Sequence, residues 1–197
     1  MLKHLRQVVA SDLYRHEGAL GRRAFWRHYC WTPGFRYTFQ LRLYAWLRDR
    51  TRWGRFGPRQ FVALLLHRSS VRYGISISRD TKIGSGFYIG HFGGIVVNTD
   101  VVIGDNCNIS QGVTLGQVNR GAKAGCPVIG NNVFIGPGAK VIGRIHIGNH
   151  VAIGANAVVV ADVPDNVAVG GIPARVISDK GSEGYVNRTD YPRVEAR

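Results

Sequence analysis

Acidic residues are scarce in this sequence: 12 Asp and Glu stand against 26 Lys and Arg, a formal charge of +14 over 197 residues. Cysteine is scarcer still. Cys30, Cys107 and Cys126 are an odd set without metal-ligand spacing, which excludes a disulfide scaffold and suits a reducing compartment. Long hydrophobic runs are missing as well. The longest near the start covers residues 61–66, far short of the ~18–20 needed to cross a bilayer. Charges break the first residues too early for a secretory signal, so a cytoplasmic protein is expected. At ~150 residues per domain the length allows one domain with or without an appended segment. A hydrophobic content of 45% excludes wholesale disorder.

What charge there is lies at one end. Residues 1–72 hold fifteen Lys and Arg against Asp12, Glu17 and Asp49, a net +12, which leaves +2 for residues 73–197. All four tryptophans (Trp26, Trp31, Trp46, Trp53) fall in the first part, and glycine dominates the second. The composition breaks at Tyr73-Gly74. The organisation predicted is a basic, aromatic-rich α-helical segment over 1–72, a repeat domain over 73–162 with a loop at 117–128, and a C-terminal cap and tail over 163–197. Glycine and proline predict helix breaks near Gly18, Gly21, Pro33-Gly34 and Gly57-Pro58. Phe35, Phe39, Leu43, Trp46 and Leu47 form a helical stripe, with Arg36, Arg42, Arg48 and Arg50 off it. Two readings of that stripe stay open. It suits peripheral contact with an anionic membrane, where each basic residue contributes ~1 kcal/mol, and it equally suits a helical cap with solvated arginines. Nucleic acid is not an expected partner, because no reading motif accompanies the charge.

The second part has a period of six. Ile77, Ile83, Ile89 and Ile95 are followed, after a two-residue slip, by Ile103, Ile109 and Leu115. After a longer interruption come Ile129, Ile135, Val141, Ile147, Ile153 and Val159. Small or β-branched side chains often stand two residues earlier, and glycine often comes next. Strand alternation puts both inward positions on one face, and glycine supplies turns at low steric cost. Such coils stack into a parallel β-helix in which no single coil is stable alone. A meander of amphipathic strands is the competing reading, and thirteen aliphatic positions in register disfavour it.

Three stretches carry a resemblance. They are Gly90-His91-Phe92-Gly93-Gly94-Ile95-Val96-Val97, Ile109-Ser110-Gln111-Gly112-Val113-Thr114-Leu115-Gly116 and Gly170-Gly171-Ile172-Pro173-Ala174-Arg175. With the repeats, over roughly residues 74–178, they resemble the serine acetyltransferase branch of the hexapeptide-repeat acyltransferases. The resemblance implies a mainly β fold, a left-handed parallel β-helix behind the short helical segment. It also implies a homotrimer with active sites between subunits, and acetyl-CoA as co-substrate with no permanently bound cofactor. His91 matches the family's catalytic histidine. On a glycine-flanked turn, a neutral imidazole can take the proton of an acceptor hydroxyl. Gln111, two residues after Ile109 as His91 is after Ile89, is expected one coil above it, as a ligand contact or part of an amide ladder. From Leu115 to Ile129 is fourteen residues where two repeats need twelve, so a loop beside the site is expected, with Asn119 and Arg120 near substrate. By resemblance the CoA arm lies on Gly136, Pro137, Gly138, Ala139, Gly154 and Ala155, then on Ile172 and Pro173, with Arg175 and Lys180 for its phosphates. His146 and His150 lack a third partner, so no metal site is expected.

Four departures from serine acetyltransferases bear on the acceptor. Gly90 stands where that family has an aspartate before the histidine, and Gly125-Cys126 stand where its loop presents Arg-His. Ser76 falls on the position of the carboxylate that orients the histidine, and the N-terminal segment is short. The terminal Val194-Glu195-Ala196-Arg197 also lacks the isoleucine with which that family docks into its sulfhydrylase. No base is evident beside Cys126, for which a structural or substrate-lining role is expected. A pocket without amino-acid-binding charges suits a neutral hydroxyl, so the motifs look closest to capsule and exopolysaccharide O-acetyltransferases, with a saccharide or lipid-linked saccharide acceptor. L-Serine O-acetylation is the alternative. A non-catalytic or metal-binding β-helix is the alternative of another class.

Overall fold

The computed structural model describes residues 2–48 and 57–192. Helices α1 (Leu2–Glu17), α2 (Arg22–Trp31), α3 (Pro33–Arg48) and α4 (Pro58–Tyr73) come first, and they break where glycine and proline predict. Gly74 ends α4 in the left-handed conformation that an L side chain resists (φ 61°), with its N–H bonded to the Ser70 carbonyl. Three parallel faces then build a β-helix. The first carries β1 (Ile75–Ile77), β4 (Ile95–Val97), β7 (Thr114–Gly116), β10 (Lys140–Ile142) and β13 (Val158–Val159). On the second are β2 (Lys82–Ile83), β5 (Val102–Ile103), β8 (Val128–Ile129) and β11 (His146–Ile147). The third holds β3 (Tyr88–Ile89), β6 (Asn108–Ile109), β9 (Phe134–Ile135), β12 (Ala152–Ile153) and β14 (Ala168–Gly171), with β15 (Ala174–Ser178) returning antiparallel.

Register fixes what periodicity left loose. Ile89, Ile109, Ile135, Ile153 and Val169 stack on one another, as do Ile83, Ile103, Ile129 and Ile147. On the first face the column is Ile77, Val97, Leu115, Val141 and Val159. Ile95 pairs with Ile75 and is the earlier inward residue of its strand, so the two-residue slip falls before it, at the His91 turn. The interruption is also larger than expected. Leu115 to Ile129 is a single step between neighbouring faces, fourteen residues where six suffice, and eight are looped out. At the corner between the second and third faces a polar ladder ties coil to coil. Asp105 Oδ1 accepts from Ser85 N–H (2.6 Å), Asn131 Oδ1 from Asp105 N–H (2.7 Å), Asn149 Oδ1 from Asn131 N–H (2.8 Å) and Asp165 Oδ1 from Asn149 N–H (2.7 Å).

A stack of coils has an open end, whose backbone groups need partners. The helices supply them. The Tyr37 hydroxyl donates to the Ile77 carbonyl (3.0 Å) and accepts from the Ile77 N–H (3.1 Å). Ser11 Oγ accepts from Gly86 N–H (2.9 Å) and Asp12 from Phe87 N–H (2.8 Å). Arg42 pairs with Asp12 (3.0 Å) and donates to the Ile83 carbonyl (2.7 Å). Burial pushes the Asp12 carboxyl up, against the pull of Arg42. Gly34 lets α3 sit on the third face: a Cβ there would lie 2.1 Å from the Ile89 carbonyl oxygen. Tyr37, Leu41, Leu66 and Tyr73 share one apolar core with the coils.

This corrects one reading of the basic stripe. Phe35 and Leu47 are buried, so the stripe is a packing face. Its arginines are not merely solvated. Arg36 bonds the Tyr29 carbonyl (2.6 Å) and the Tyr73 hydroxyl (2.5 Å), and Arg48 pairs with Asp80 (2.6 Å), while Arg50 and Trp53 lie outside the described residues. At the other end the tail runs back along the third face. Ser182 Oγ donates to the Asn132 carbonyl (2.6 Å), Tyr185 stacks on Phe134 (4.7 Å), and Arg188 donates to the His16 carbonyl.

Candidate active site

The turn after β3 has five residues, 90–94, where the next coil has three, Ser110, Gln111 and Gly112. The surplus bulges outward and carries an exposed His91, which makes no hydrogen bond among the described residues. Gly93 (φ 107°) and Gly94 (φ 65°) supply the conformations that the bulge requires. A Cβ on Gly94 would touch Gly112 Cα at 3.4 Å, which sets Gln111 over the bulge as its repeat position predicts. The Gln111 Oε1 is buried without a hydrogen-bond partner among the described residues.

Two neighbours of the turn escaped the sequence. Tyr88 fills the space beside Gly90, where a Cβ would meet its Cε1 at 2.9 Å. Lys140 donates to the Gly112 carbonyl (2.5 Å) and Thr114 Oγ1 (3.1 Å), placing a cation at this corner. Both directly precede an inward aliphatic residue, Ile89 or Val141, so alternation marks them as outward. Only the registers bring them to the site.

The expected CoA residues divide. Gly136, Pro137 and Gly138, then Gly154 and Ala155, stack on the same corner as Gln111 and form a column leading away from His91. The turn at Ile172 and Pro173 continues it, with Ile172 74% exposed and Arg175 exposed beyond. Ala139 points into the core and is fully buried, so it offers no side-chain contact. Lys180 shares a cavity with His150 and Asn166 at the corner of the second and third faces, away from the column. His150 sits there in a left-handed turn (φ 55°), its Nε2 3.3 Å from Asn132 Nδ2, and among the described residues no three metal-ligating groups cluster.

The acceptor residues divide too. Ser76 is exposed on β1, beside Val96 in the neighbouring strand. Asn119 and Arg120 belong to the looped-out residues, a hairpin closed by Val118 and Gly125, and Cys126 is the first residue after it. That hairpin leaves from the corner between the first and second faces and leans on later coils. Lys123 Nζ donates to the Val160 carbonyl (2.8 Å) and Arg144 to that of Ala122 (3.0 Å). Within one chain the loop is therefore not beside His91. Cys126 is partly buried against the core, and burial, with Asp100 nearby, pushes its thiol up, which disfavours a nucleophilic thiolate.

Residues 126–161 match the family described as bacterial transferase hexapeptide (six repeats). The chain is 42% identical over 135 residues to a serine acetyltransferase of Synechococcus elongatus, covering 68% of this chain and 55% of that protein. It is similar to a serine acetyltransferase from Brucella abortus solved in complex with coenzyme A (TM-score 0.72, 34% identity, 91% of this chain and 69% of that one). It is also similar to one from Neisseria gonorrhoeae solved in complex with serine (TM-score 0.71, 30% identity, 89% and 69%). The chain spans about half the length of the curated relatives it matches.

These findings overturn the saccharide acceptor and the capsule and exopolysaccharide branch. That reading took missing charges at Ser76, Gly90 and Gly125-Cys126 as a description of one pocket. The fold does not assemble those positions in one chain, because the loop leaves from another corner. With repeat, register and relatives in agreement, the chain belongs to the hexapeptide-repeat acyltransferase family, and its serine acetyltransferases are its relatives.

Proposed function

We propose that the chain is an acetyl-CoA-dependent O-acetyltransferase whose acceptor is the hydroxyl of L-serine, with His91 as general base. One observation carries this: the 42% identity to a serine acetyltransferase extends over 68% of the chain, a span that includes residue 91 wherever it begins. Acetyl-CoA lies along the corner column of Gly136–Gly138 and Gly154-Ala155, with Arg175 for its phosphates. The imidazole of His91 takes the hydroxyl proton as the serine oxygen attacks the thioester carbon. The C–O bond of the ester forms, the C–S bond breaks, and the proton passes to the departing CoA sulfur. Because loop and turn occupy different corners, a neighbouring copy brings its Asn119, Arg120 and Cys126 to each site, in a homotrimer.

The test is CoA release from acetyl-CoA with and without L-serine. In His91→Ala, with its circular dichroism unchanged, serine-dependent release is expected to fall by roughly 10²–10⁴. Equal rates in both proteins would remove His91 from the reaction, and release no faster with serine than without would remove serine as acceptor.

A second reading concerns location. No helix among the described residues is long and apolar enough to cross a membrane. However, α2 exposes Trp26 (57%) and Trp31 (83%) beside Arg22, Arg23 and Arg27, and α4 exposes Phe61, Leu64 and Val71 beside Arg68 and Arg72. Exposed aromatic rings among arginines suit peripheral contact with an anionic bilayer. Salt-sensitive cosedimentation with phosphatidylserine vesicles is expected, and its absence at low salt would end this reading.

A further inference from the structure

We infer that the chain has a second binding site, for a small oxyanion, on the third face between α1 and the returning tail. A cavity of about 270 Å3 lies there, lined by Arg15, Tyr88, Asn108, Tyr185, Asn187 and Arg188. Two of these six carry positive charge and none carries negative charge. Arg15 is the floor. Its residue is only 5% exposed, Nη2 bonds Asn108 Oδ1, and Nε and Nη1 are buried with no hydrogen-bond partner among the described residues. Asp12, whose charge is felt at Arg15, is committed to Arg42 and to the Phe87 N–H. A guanidinium out of water with unused N–H groups is costly to keep unless an acceptor meets it. Each unused N–H can donate to one oxygen of a carboxylate, phosphate or sulfate.

The surroundings favour the same occupant. Arg188 stands at the rim, one nitrogen on the His16 carbonyl and its stem against Gly18, and Asn108 is held by its own bond to the Tyr185 carbonyl (2.9 Å). The volume lies below the ~300–1,000 Å3 of pockets for drug-sized ligands, which fits an inorganic anion or the carboxylate of a small acid. Its walls come from α1, from β3 and β6, and from the tail, so one bound anion joins three segments distant in sequence. Tyr88 is shared with the His91 turn through its contact with Gly90, which gives occupancy a path to that turn. The site goes beyond acetyl transfer, and a binding measurement tests it whatever the chain's activity.

The experiment is calorimetric titration of the full chain with sodium phosphate, sodium sulfate and sodium acetate, each against sodium chloride at matched ionic strength. It includes Arg15→Gln, Arg188→Gln and, as a charge-matched control on exposed α2, Arg22→Gln. Saturable binding of one anion per chain is expected in the wild type and in Arg22→Gln, weakened at least about tenfold in Arg15→Gln and Arg188→Gln. Binding of phosphate or sulfate alone identifies an inorganic occupant, and binding of acetate identifies a carboxylate. Heats no different from chloride, or equal affinity in the wild type and Arg188→Gln, would overturn the site. Arg188 is exposed, so that variant decides the matter even if Arg15→Gln does not fold.

Discussion

The coils and the helices that cap them bury apolar surface by different means. In the coils each inward aliphatic residue meets a like residue above and below, and backbone hydrogen bonds run from one turn to the next in the same pattern. No step differs much from its neighbours, so stability there approximates a sum of similar terms. The cap has no repeat. It is held by single contacts, such as the Asp12–Arg42 pair and Tyr37 on Ile77, that close the N-terminal end of the coil stack. Nearly all of the net charge sits in the cap, yet Arg36, Arg42 and Arg48 spend theirs on its structure. A regular array and the unique element that ends it therefore respond differently to damage.

That contrast can be broken by substitution. Asp12→Ala removes the buried partner of Arg42 and the acceptor of the Phe87 N–H, and a loss of about 3–5 kcal/mol is expected in denaturant unfolding. A loss under about 1 kcal/mol would show that the cap contributes as diffusely as the coils. The next effect is one of pH. Burial, with His28, Arg15 and Arg188 adding to it, lowers His16 from 6.5 to about 3. Between those values the unfolded chain binds a proton that the folded chain refuses, so stability falls as pH drops through this window, by about 1.4 kcal/mol per unit. The change with pH of the gap between wild type and His16→Phe measures this effect, and parallel pH profiles for the two would refute it. Smallest are the coil substitutions. Ile109→Val and Ile153→Val, two coils apart on the third face with Ile135 between them, are expected to cost about 0.5–1.5 kcal/mol each and to add within about 0.5 kcal/mol. Strong coupling between them would make the array as particular as its cap.

The same contrast decides what could be read from the residues. The period of six, the inward columns and the glycine breaks between helices are local signals, and each is where sequence puts it. The slip was misplaced because Ile95 and Val97 are both aliphatic and two apart, so alternation fits either as the column residue. The loop was undersized because fourteen residues suit two steps plus two as well as one step plus eight. Only pairing across coils separates those counts. His91 was legible through its resemblance, whereas Tyr88, Lys140 and the roles of Arg15 and Arg42 depend on contacts between segments far apart in the chain, which leave no periodic trace.

The corner ladder has a consequence for how such a chain can change length. Aligned strands stand eighteen residues apart, as Val97 and Leu115 do, and each ladder oxygen reaches only the coil beneath it. Insertion or deletion of eighteen residues swaps one rung for another and leaves every neighbour in phase. Any other number puts the columns out of phase unless the difference is expelled at a corner. Both departures here, two residues at His91 and eight in the hairpin, are expelled in that way. Corners are thus where this architecture admits novelty, and the faces between them enforce a fixed metre.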